Sequence, residues 1–474
     1  MLGLFGTMNM GARALQAQSQ GLEVAGHNLA NASTPGYSRQ RIQIVTNPTI
    51  NSPLGPQGTG VQVTGITQMR DVLLDRQTEV EISVTGSLEA QQAALQYAQA
   101  GLGEEIDRQA SANGASTTDA SGQHGIAADL SNLFNAFQSV ATDPTSLANR
   151  QVLLMKAQDL ASKFNTVDQR LGALDSSLNT SITSDVKSAN DLLQEIAKLN
   201  DQISNTENGN PGSANDLRDT RQLKIEALAK LVKVDVTPDS TGAIDISIGG
   251  TSLVQGPSVA EHLEAYDPGT GNLMVRAQST GTPLTLTGGS IQGSIDARDG
   301  AIANLRGSLN TLASQLITQV NAIHTGGFGL GGSTGAKFFN GSTAADISVN
   351  SALISDPSLF QAASAAGAAG DNTKALALAQ LAAQSVGALG NQTFSQNYNQ
   401  TVAAFGQSLA SVNQGVSDQQ VVQNMLQQQR DSVSGVSLDE EMTDLMKFQR
   451  AYQASAKLIT TVDDMLETVI GMKR

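Results

Sequence analysis

The chain contains no cysteine and no tryptophan, and aromatic residues make up only 3% of its 474 residues. Without cysteine, disulfides, thiolate nucleophiles and Cys-ligated metals are excluded. Large aromatic side chains supply much of the energy of cores and ligand pockets, so this protein must cohere through many small aliphatic contacts. Long helices packed side by side provide such contacts, whereas a deep small-molecule pocket is harder to build.

Charge is also scarce, and it is unbalanced. Charged residues make up 15% of the chain, and the formal net charge is −15. A polyanion is a poor partner for nucleic-acid phosphates or anionic lipids, and no apolar run approaches the ~20 residues that span a membrane. We therefore expect no nucleic-acid partner and no membrane insertion. The first residues lack a basic stretch ahead of a long apolar one, so no cleaved secretory signal is predicted.

Both ends of the chain carry a helical heptad pattern. Residues 3–31 predict a helix whose seam is Leu4, Met8, Gly11, Leu15, Gln18, Leu22, Ala25 and Leu29. The last segment opens with a capping box at Ser437 and Glu440. Its seam is Leu438, Met442, Leu445, Gln449, Tyr452, Ala456, Ile459, Asp463, Leu466 and Ile470. Steps of three and four predict coiled-coil surfaces, so we expect the two helices to pair and to fold on assembly.

The interior is helical except for one region of strict alternation. Val232 to Val236 and Ile244 to Ile248 alternate apolar and polar residues around a turn, which predicts a β-hairpin. A helix of about 60 residues, roughly 90 Å long, is expected from Asp143 as N-cap and Pro144 as first residue. Further helices are expected over 69–109, 126–140, 294–323, 372–387 and 393–432.

The predicted fold is mainly α with a small inserted β domain. The terminal helices pair as a coiled coil, the long helices form a bundle outward of them, and the β domain lies at the distal tip. The expected units are a terminal assembly domain (1–45 with 433–474), a helical-bundle domain (46–230 with 293–432, including an irregular segment at 325–371) and a β domain (231–292).

Two long stretches at the ends resemble a known family. The segment LQAQSQGLEVAGHNLANASTPGYSRQ (15–40) resembles the N-terminal motif of the flagellar rod, hook and hook-associated proteins. The segment GVSLDEEMTDLMKFQRAYQASAKLITTVDDML (435–466) resembles their C-terminal motif. Within this family, the form from Thr34 to Arg39 is more similar to the hook–filament junction branch than to hook and rod proteins, which usually continue from the turn with a lysine. Interior matches at 215–221, 320–324, 355–357 and 370–376 are similar to the same branch.

The resemblance implies a structural subunit of the bacterial flagellum, which assembles with itself as a ring or helical layer at the distal end of the hook. The implied partners are other copies of the chain, the hook protein, hook-associated protein 3 and an export chaperone bound to the C-terminal helix. The implied location is extracellular, after export by the flagellar type III apparatus. The residues expected at subunit interfaces are Leu15, Leu22, Asn28, Leu29, Asn31, Pro35, Gly36, Tyr37, Arg39, Met442, Leu445, Gln449, Tyr452, Ile459 and Leu466.

The sequence offers little chemistry. The four histidines, His27, His124, His262 and His324, are scattered, and the glycine-rich stretch 326–337 lacks the Gly-Lys-Ser/Thr order of a phosphate-binding loop. The acidic run 439–441 suits the start of a helix. We therefore predict no catalytic residue, no metal and no cofactor.

Several alternatives stay open at this point. Arg39 is expected either to be solvated or to pair with acidic groups of a neighbouring subunit. The polar seam residues Gln449 and Asp463 either set the register of the coiled coil or lie at its exposed rim. The chain could also be a hook or rod subunit, or a secreted enzyme that carries flagellar-type ends.

Overall fold

The computed structural model describes residues 3–52, 55–103, 125–209 and 212–472. The end of the helix predicted over 69–109 and His124 lie outside these residues. The described α-helices are α1 (Leu4–Asn31), α2 (Val72–Leu102), α3 (Ile126–Thr142), α4 (Leu147–Thr206), α5 (Asn215–Leu231), α6 (Gly289–Ala297), α7 (Ala303–His324), α8 (Ser351–Ser355), α9 (Thr373–Gln380), α10 (Phe394–Ser434) and α11 (Leu438–Gly471). The predicted class, mainly α with a small β insertion and paired terminal helices, is confirmed.

The strands form five small antiparallel groups among the described residues. They are β1 (Gln40–Thr46) with β4 (Val61–Gln68), β2 (Ile50–Ser52) with β3 (Gly55–Gln57), the sheet β5 (Asp235–Pro238), β6 (Ile244–Ile248), β7 (Thr251–Gln255) and β8 (Ser258–Val259), then β9 (Leu263–Tyr266) with β10 (Met274–Ala277), and β11 (Phe339–Asn340) with β12 (Ser348–Val349). The hairpin expected from the alternating pattern corresponds to β5 and β6, which pair Val236 with Ile246.

Helices α1 and α11 form an antiparallel pair. Gly11 of α1 lies against Ile459, and Gly21 lies against Phe448 farther toward the start of α11. The segment from β1 to β4 folds back as a long hairpin that packs on α1, where Gly60 approaches Met10. The domain boundary predicted at residue 45 therefore falls inside β1. The hairpin that begins with β1 is attached to the terminal helices as well as to the bundle.

Two hydrophobic cores lie along α4, which is 60 residues long and so spans roughly 90 Å. The first half of α4 packs with α3, α7, α9 and α10 around Phe137 and Phe164. The second half packs with α5, α6 and the strands β5–β10 around Ile246 and Leu193. The β region thus shares its core with helices instead of closing a core of its own, since strands of four or five residues bury too little apolar surface alone.

Four local predictions need correction. The N-cap of α4 is Ser146, whose hydroxyl accepts from the Asn149 amide, and not Asp143. The helix expected over 294–323 is interrupted by a π-helical turn at Arg298–Ile302. The helix expected over 372–387 ends at Gln380. The segment 325–371, expected to be irregular, contains β11, β12 and α8, which anchor Phe339 in the first core.

Candidate assembly site

The α1–α11 pair is built on small residues that let the helix axes approach closely. Ala17, Val24 and Ala25 are buried on α1, and a side chain at Gly21 would collide with the Phe448 ring. On α11, Val462 is buried and Phe448 is half-buried in the same interface. Glycine and alanine contribute little apolar area, so the pair is held by close contact along its length more than by large side chains.

Only part of the predicted α11 seam faces α1. Leu445, Ile459 and Leu466 are half-buried, whereas Met442 is 47% and Tyr452 40% exposed, and Gln449 and Asp463 are also exposed. The true contact line includes Glu441, Phe448 and Val462, one position before several predicted seam residues. Large apolar side chains of α11 remain exposed around the rest of its circumference; we call this exposed apolar surface the outer face, and it consists of Leu438, Met442, Met446, Tyr452, Met465, Val469 and Ile470.

The predicted α1 seam is buried only in part, because its members Gly11 and Ala25 are buried and its leucines are not fully so. Leu15, Leu22 and Leu29 are half-buried, while the fully buried positions of the helix are Gly11, Ala17, Gly21, Val24, Ala25 and Asn28. An α-helix with apolar residues nearly all round can satisfy the heptad pattern on two faces, so periodicity alone does not select the face that meets α11.

Asn28, in the last turn of α1, is the central polar residue of the connection to the following turn. Its side chain is buried, and its amide nitrogen donates to the Gln40 carbonyl (2.9 Å) and to Glu441 Oε2 (3.0 Å). Its oxygen accepts from the Gln40 amide (2.9 Å) and from the Tyr37 hydroxyl (2.8 Å). All four bonding positions of one amide are thus used to join α1, the turn, β1 and α11.

Other predicted residues shape the same turn. Gly36 has a φ of 77°, in the left-handed region that glycine tolerates, and it lies directly against Leu223 of α5. Asn31 donates to the His27 carbonyl, and Pro35 is exposed. Burial, and then the nearby carboxylates of α5 and α11, raise the pKa of Tyr37 well above its ordinary value, so its hydroxyl stays protonated and can donate to Asn28.

Arg39 is paired within the chain. Its guanidinium lies 2.6 Å from Glu440 Oε2, 2.6 Å from Glu441 Oε1 and 3.6 Å from Asp444. It is thus neither simply solvated nor dependent on a neighbouring subunit for an acidic partner. The predicted capping box at Ser437 is absent, because Ser437 makes no side-chain cap and the Glu440 carboxylate is bound by Arg39.

The turn is also tied to the helical body, through residues to which sequence reasoning assigned no role. Asp219 of α5 accepts from the Ser38 amide (3.0 Å) and from Arg70 (3.3 Å). Gln40 donates to Asp216 (2.7 Å), and the Arg39 amide donates to the Ser434 carbonyl at the end of α10 (2.9 Å). These contacts had one signal in the sequence. The segment 215–221 matches the family pattern and carries many polar residues on a helix that also buries Ile225.

Within the described ranges, no three histidine, aspartate or glutamate side chains are grouped so as to hold a metal ion. No helix in that part of the chain is both long and apolar enough to cross a membrane. What the site offers is a rigid polar connection between two paired helices and a long body, with one apolar helix face left uncovered.

Three family models match the chain. Residues 116–339 match the model described as the flagellar hook-associated protein FlgK helical domain. Residues 8–37 match the flagella basal body rod protein model, and residues 427–472 match the C-terminal model of the flagellar basal body rod FlgEFG proteins. The two end models are therefore of rod type, and the interior model is of hook-associated type.

Curated relatives match over nearly their full length. The flagellar hook-associated protein 1 of Bacillus subtilis is 28% identical, with 99% of each chain covered. That of Escherichia coli is 26% identical, with 98% of this chain and 99% of the relative covered. A solved structure of the flagellar hook junction protein FlgK from Burkholderia pseudomallei has a TM-score of 0.63 at 16% identity and covers 76% of this chain and 100% of that one, a likeness of fold.

Proposed function

We propose that the chain is a member of the flagellar hook-associated protein 1 family and forms the junction layer at the distal end of the hook, connecting hook to filament. It is a structural component of the bacterial flagellum. The match of the interior to a hook-associated model separates it from hook and rod subunits, whose end motifs it shares.

The observation that carries this proposal is the outer face of α11. In a single chain, α1 covers only part of the surface of α11, and large apolar residues such as Met446 (48% exposed) and Val469 (56% exposed) remain in contact with solvent. Burying a Leu- or Met-sized side chain contributes ~1.5–3 kcal/mol, so neighbouring copies gain substantially by covering this face. The assembly residues of α11 in our proposal are Met442, Gln449 and Tyr452, because these are accessible.

The hairpin after α1 is a second proposed contact between subunits. Between Arg41 and Arg70 the chain has no charged residue, although its net charge is −15. Ile44, Val45 and Ile50 are exposed on this hairpin. An uncharged apolar hairpin can approach another copy of an acidic protein without like-charge repulsion.

The family supports assembly of the chain with itself and association with hook proteins. More specifically, we propose hook subunits below the layer, hook-associated protein 3 above it and an export chaperone on α11. We also propose export through the flagellar type III apparatus and an extracellular location at the hook–filament junction. A catalytic role is not part of the proposal, and a secreted enzyme with flagellar-type ends is the alternative it competes with.

Deletion of the gene tests the proposal. Cells lacking the protein are expected to build hooks without filaments and to shed flagellin into the medium, and expression of the intact chain in trans should restore filaments. Cells that keep normal filaments after deletion would refute the junction role. Absence of hooks would instead indicate a rod or hook subunit.

A further inference from the structure

A second cluster of buried charged residues lies beside the turn, where α2, α5 and α10 meet. We call it the joint cluster, and it consists of Arg70, Asp75, Glu79, Asp219, Gln222, Glu226 and Arg430. Four carboxyl groups face two arginines in this cluster, and Asp75, Glu79 and Asp219 are each less than 10% exposed. Carboxylates at this density are stable in a low-dielectric site only when each has a cation or when one is neutral.

The two arginines form ion pairs with carboxylates other than Glu79. Arg70 lies 3.1 Å from Asp75 and 3.3 Å from Asp219. Arg430 lies 2.7 Å from Glu226 and 3.8 Å from Asp75. Glu79 is instead bound by an uncharged group, since its Oε1 accepts from the Gln222 amide at 2.8 Å.

The position of the cluster links it to the terminal helices. Arg70 follows Met69, whose amide donates to the Arg39 carbonyl, and Arg430 lies four residues before Ser434, which accepts from the Arg39 amide. Asp219 bonds both the turn and Arg70. The cluster therefore connects α2, α5 and α10 at the place where the terminal helix pair joins the body.

We infer that Glu79 is a proton-dependent contact of this joint: neutral Glu79 lets α2, α5 and α10 close on one another, and its ionisation loosens them. The inference rests on the packing of the chain itself and holds whether or not the proposed junction role is correct. It concerns a property of the free subunit as much as of the assembled one.

The charges that face Glu79 come from each packed element. Asp75 lies one turn earlier on α2, Arg70 lies ahead of α2, Glu226 lies on α5, and Arg430 of α10 approaches through Glu226. Beside Glu79, a cavity of about 370 Å³ also holds Arg76 and Arg221, so the carboxyl can exchange its proton with solvent.

Burial, together with the negative charges of Asp75 and Glu226, raises the pKa of Glu79 to about 7. Because the folded pKa is raised above its ordinary value of 4.5, the contribution of Glu79 to stability is fully present below pH 4.5. That contribution is lost as the pH rises through about 7. A shift of this size changes the closing equilibrium by ~300-fold across that range.

The test compares the intact protein with the Glu79→Gln variant, whose uncharged amide can still accept from Gln222. Hydrogen exchange of amides in α5 and in the first half of α2 is measured at pH 5, 7 and 8.5, as a ratio of protection between the two proteins. We expect the two proteins to be equally protected at pH 5 and the variant to be at least tenfold more protected at pH 8.5. A Glu467→Gln variant, changed at an exposed site on α11 away from the joint cluster, should match the original at every pH.

A ratio that does not change with pH overturns the inference. A direct titration of the unchanged protein, with carbon-13 in the glutamate carboxyl groups, makes the test independent of the variant. One buried glutamate should titrate near pH 7, and this signal should vanish in Glu79→Gln. If every glutamate titrates near pH 4.5, the inference is wrong even if the variant fails to fold.

Discussion

At the scale of single residues, the connection between the terminal helices and the body depends on buried polar groups that are hydrogen-bonded or ion-paired across it. Asn28 uses all four of its bonding positions, and the acid Glu441, 3% exposed, is paired with Arg39. A buried group that loses its partner costs more than the bond itself contributes, because it stays desolvated. Residues of this kind therefore determine the geometry of the joint.

Replacing Asn28 with alanine should destabilise the terminal region by about 2–4 kcal/mol, because it leaves the buried Gln40 amide and carbonyl without their Asn28 partner and removes the bond to Glu441. Hydrogen exchange of the Gln40 amide and urea unfolding followed by circular dichroism would measure this. The matched control is Asn31→Ala, three residues later and less buried, which removes only two exposed bonds, one donated to the His27 carbonyl and one accepted from the Thr34 hydroxyl. Equal effects of the two substitutions would contradict the central role of Asn28.

At the scale of elements, small residues and large apolar residues have different roles in the α1–α11 pair. Glycine and alanine set the distance between the helices, and the larger side chains lie on both sides of the contact line. The antiparallel pairing was predicted from two heptad patterns. The face of α11 that meets α1 was not predicted. Apolar residues of α11 extend over more than one face, and the shift of the contact line by one position is visible only when both helices are in place.

Gly21→Ala should weaken the pair by ~1–2 kcal/mol, since a Cβ at this position meets the Phe448 ring at 2.6–2.8 Å. Gly26→Ala is the matched control on the same helix, where a Cβ meets nothing within 4 Å. It should stabilise α1 by ~0.5–1 kcal/mol through helix propensity. Thermal unfolding of both variants measures the difference, and a Gly21→Ala protein as stable as the original would show that the helices are not in close contact there.

Met442→Asp should leave the free subunit folded but block its assembly. The Met442 side chain is 47% exposed, so its replacement costs the subunit less than ~0.5 kcal/mol, whereas a charge on the outer face cannot be buried by a neighbour. Sedimentation of the purified protein with and without hook fragments, and filament formation in cells, are the measurements. Gln428→Asp, at an exposed position of α10, serves as the control. Assembly of Met442→Asp at the original level would exclude the outer face from the interface.

At the scale of the whole molecule, two cores share the single helix α4, and the first of them surrounds a titratable group with a shifted pKa. His324 lies in the first core between Phe338 and Phe360. Its Nδ1 contacts the Ala336 carbonyl at 2.8 Å, and its Nε2 accepts from the Gln361 amide at 3.1 Å. Both of these hydrogen bonds form only when the ring is neutral. This core and the joint cluster therefore respond to pH in opposite directions.

Acidification should destabilise the first core. Burial lowers the pKa of His324 from 6.5 to about 4, so its contribution is present above pH 6.5 and is lost as the pH falls through 4, by up to about 3 kcal/mol. Urea unfolding between pH 7 and 4, followed by hydrogen exchange in α7, measures the slope. His324→Gln should be less stable at pH 7 but should flatten the slope, while His262→Gln should keep it. An unchanged slope in His324→Gln would assign the effect to other groups.

The sequence by itself determined the class of the fold, the pairing of the two ends, the β-hairpin after α5 and the resemblance to the flagellar family. These depend on local periodicity and on long contiguous motifs, which are properties of neighbouring residues in the chain. The length of α4 was predicted for the same reason, because no proline interrupts it.

Only the tertiary structure decided which faces meet and which polar groups are partners. The pairs Asn28–Glu441, Arg39–Glu440 and Ser38–Asp219 join residues that are 181 to 413 positions apart. A periodic pattern carries no information about such distant partners, and burial, which gives these bonds their strength, exists only after α1, α5 and α11 have packed together. The joint cluster around Glu79 could therefore not be predicted from the sequence, because its residues come together only in the folded chain.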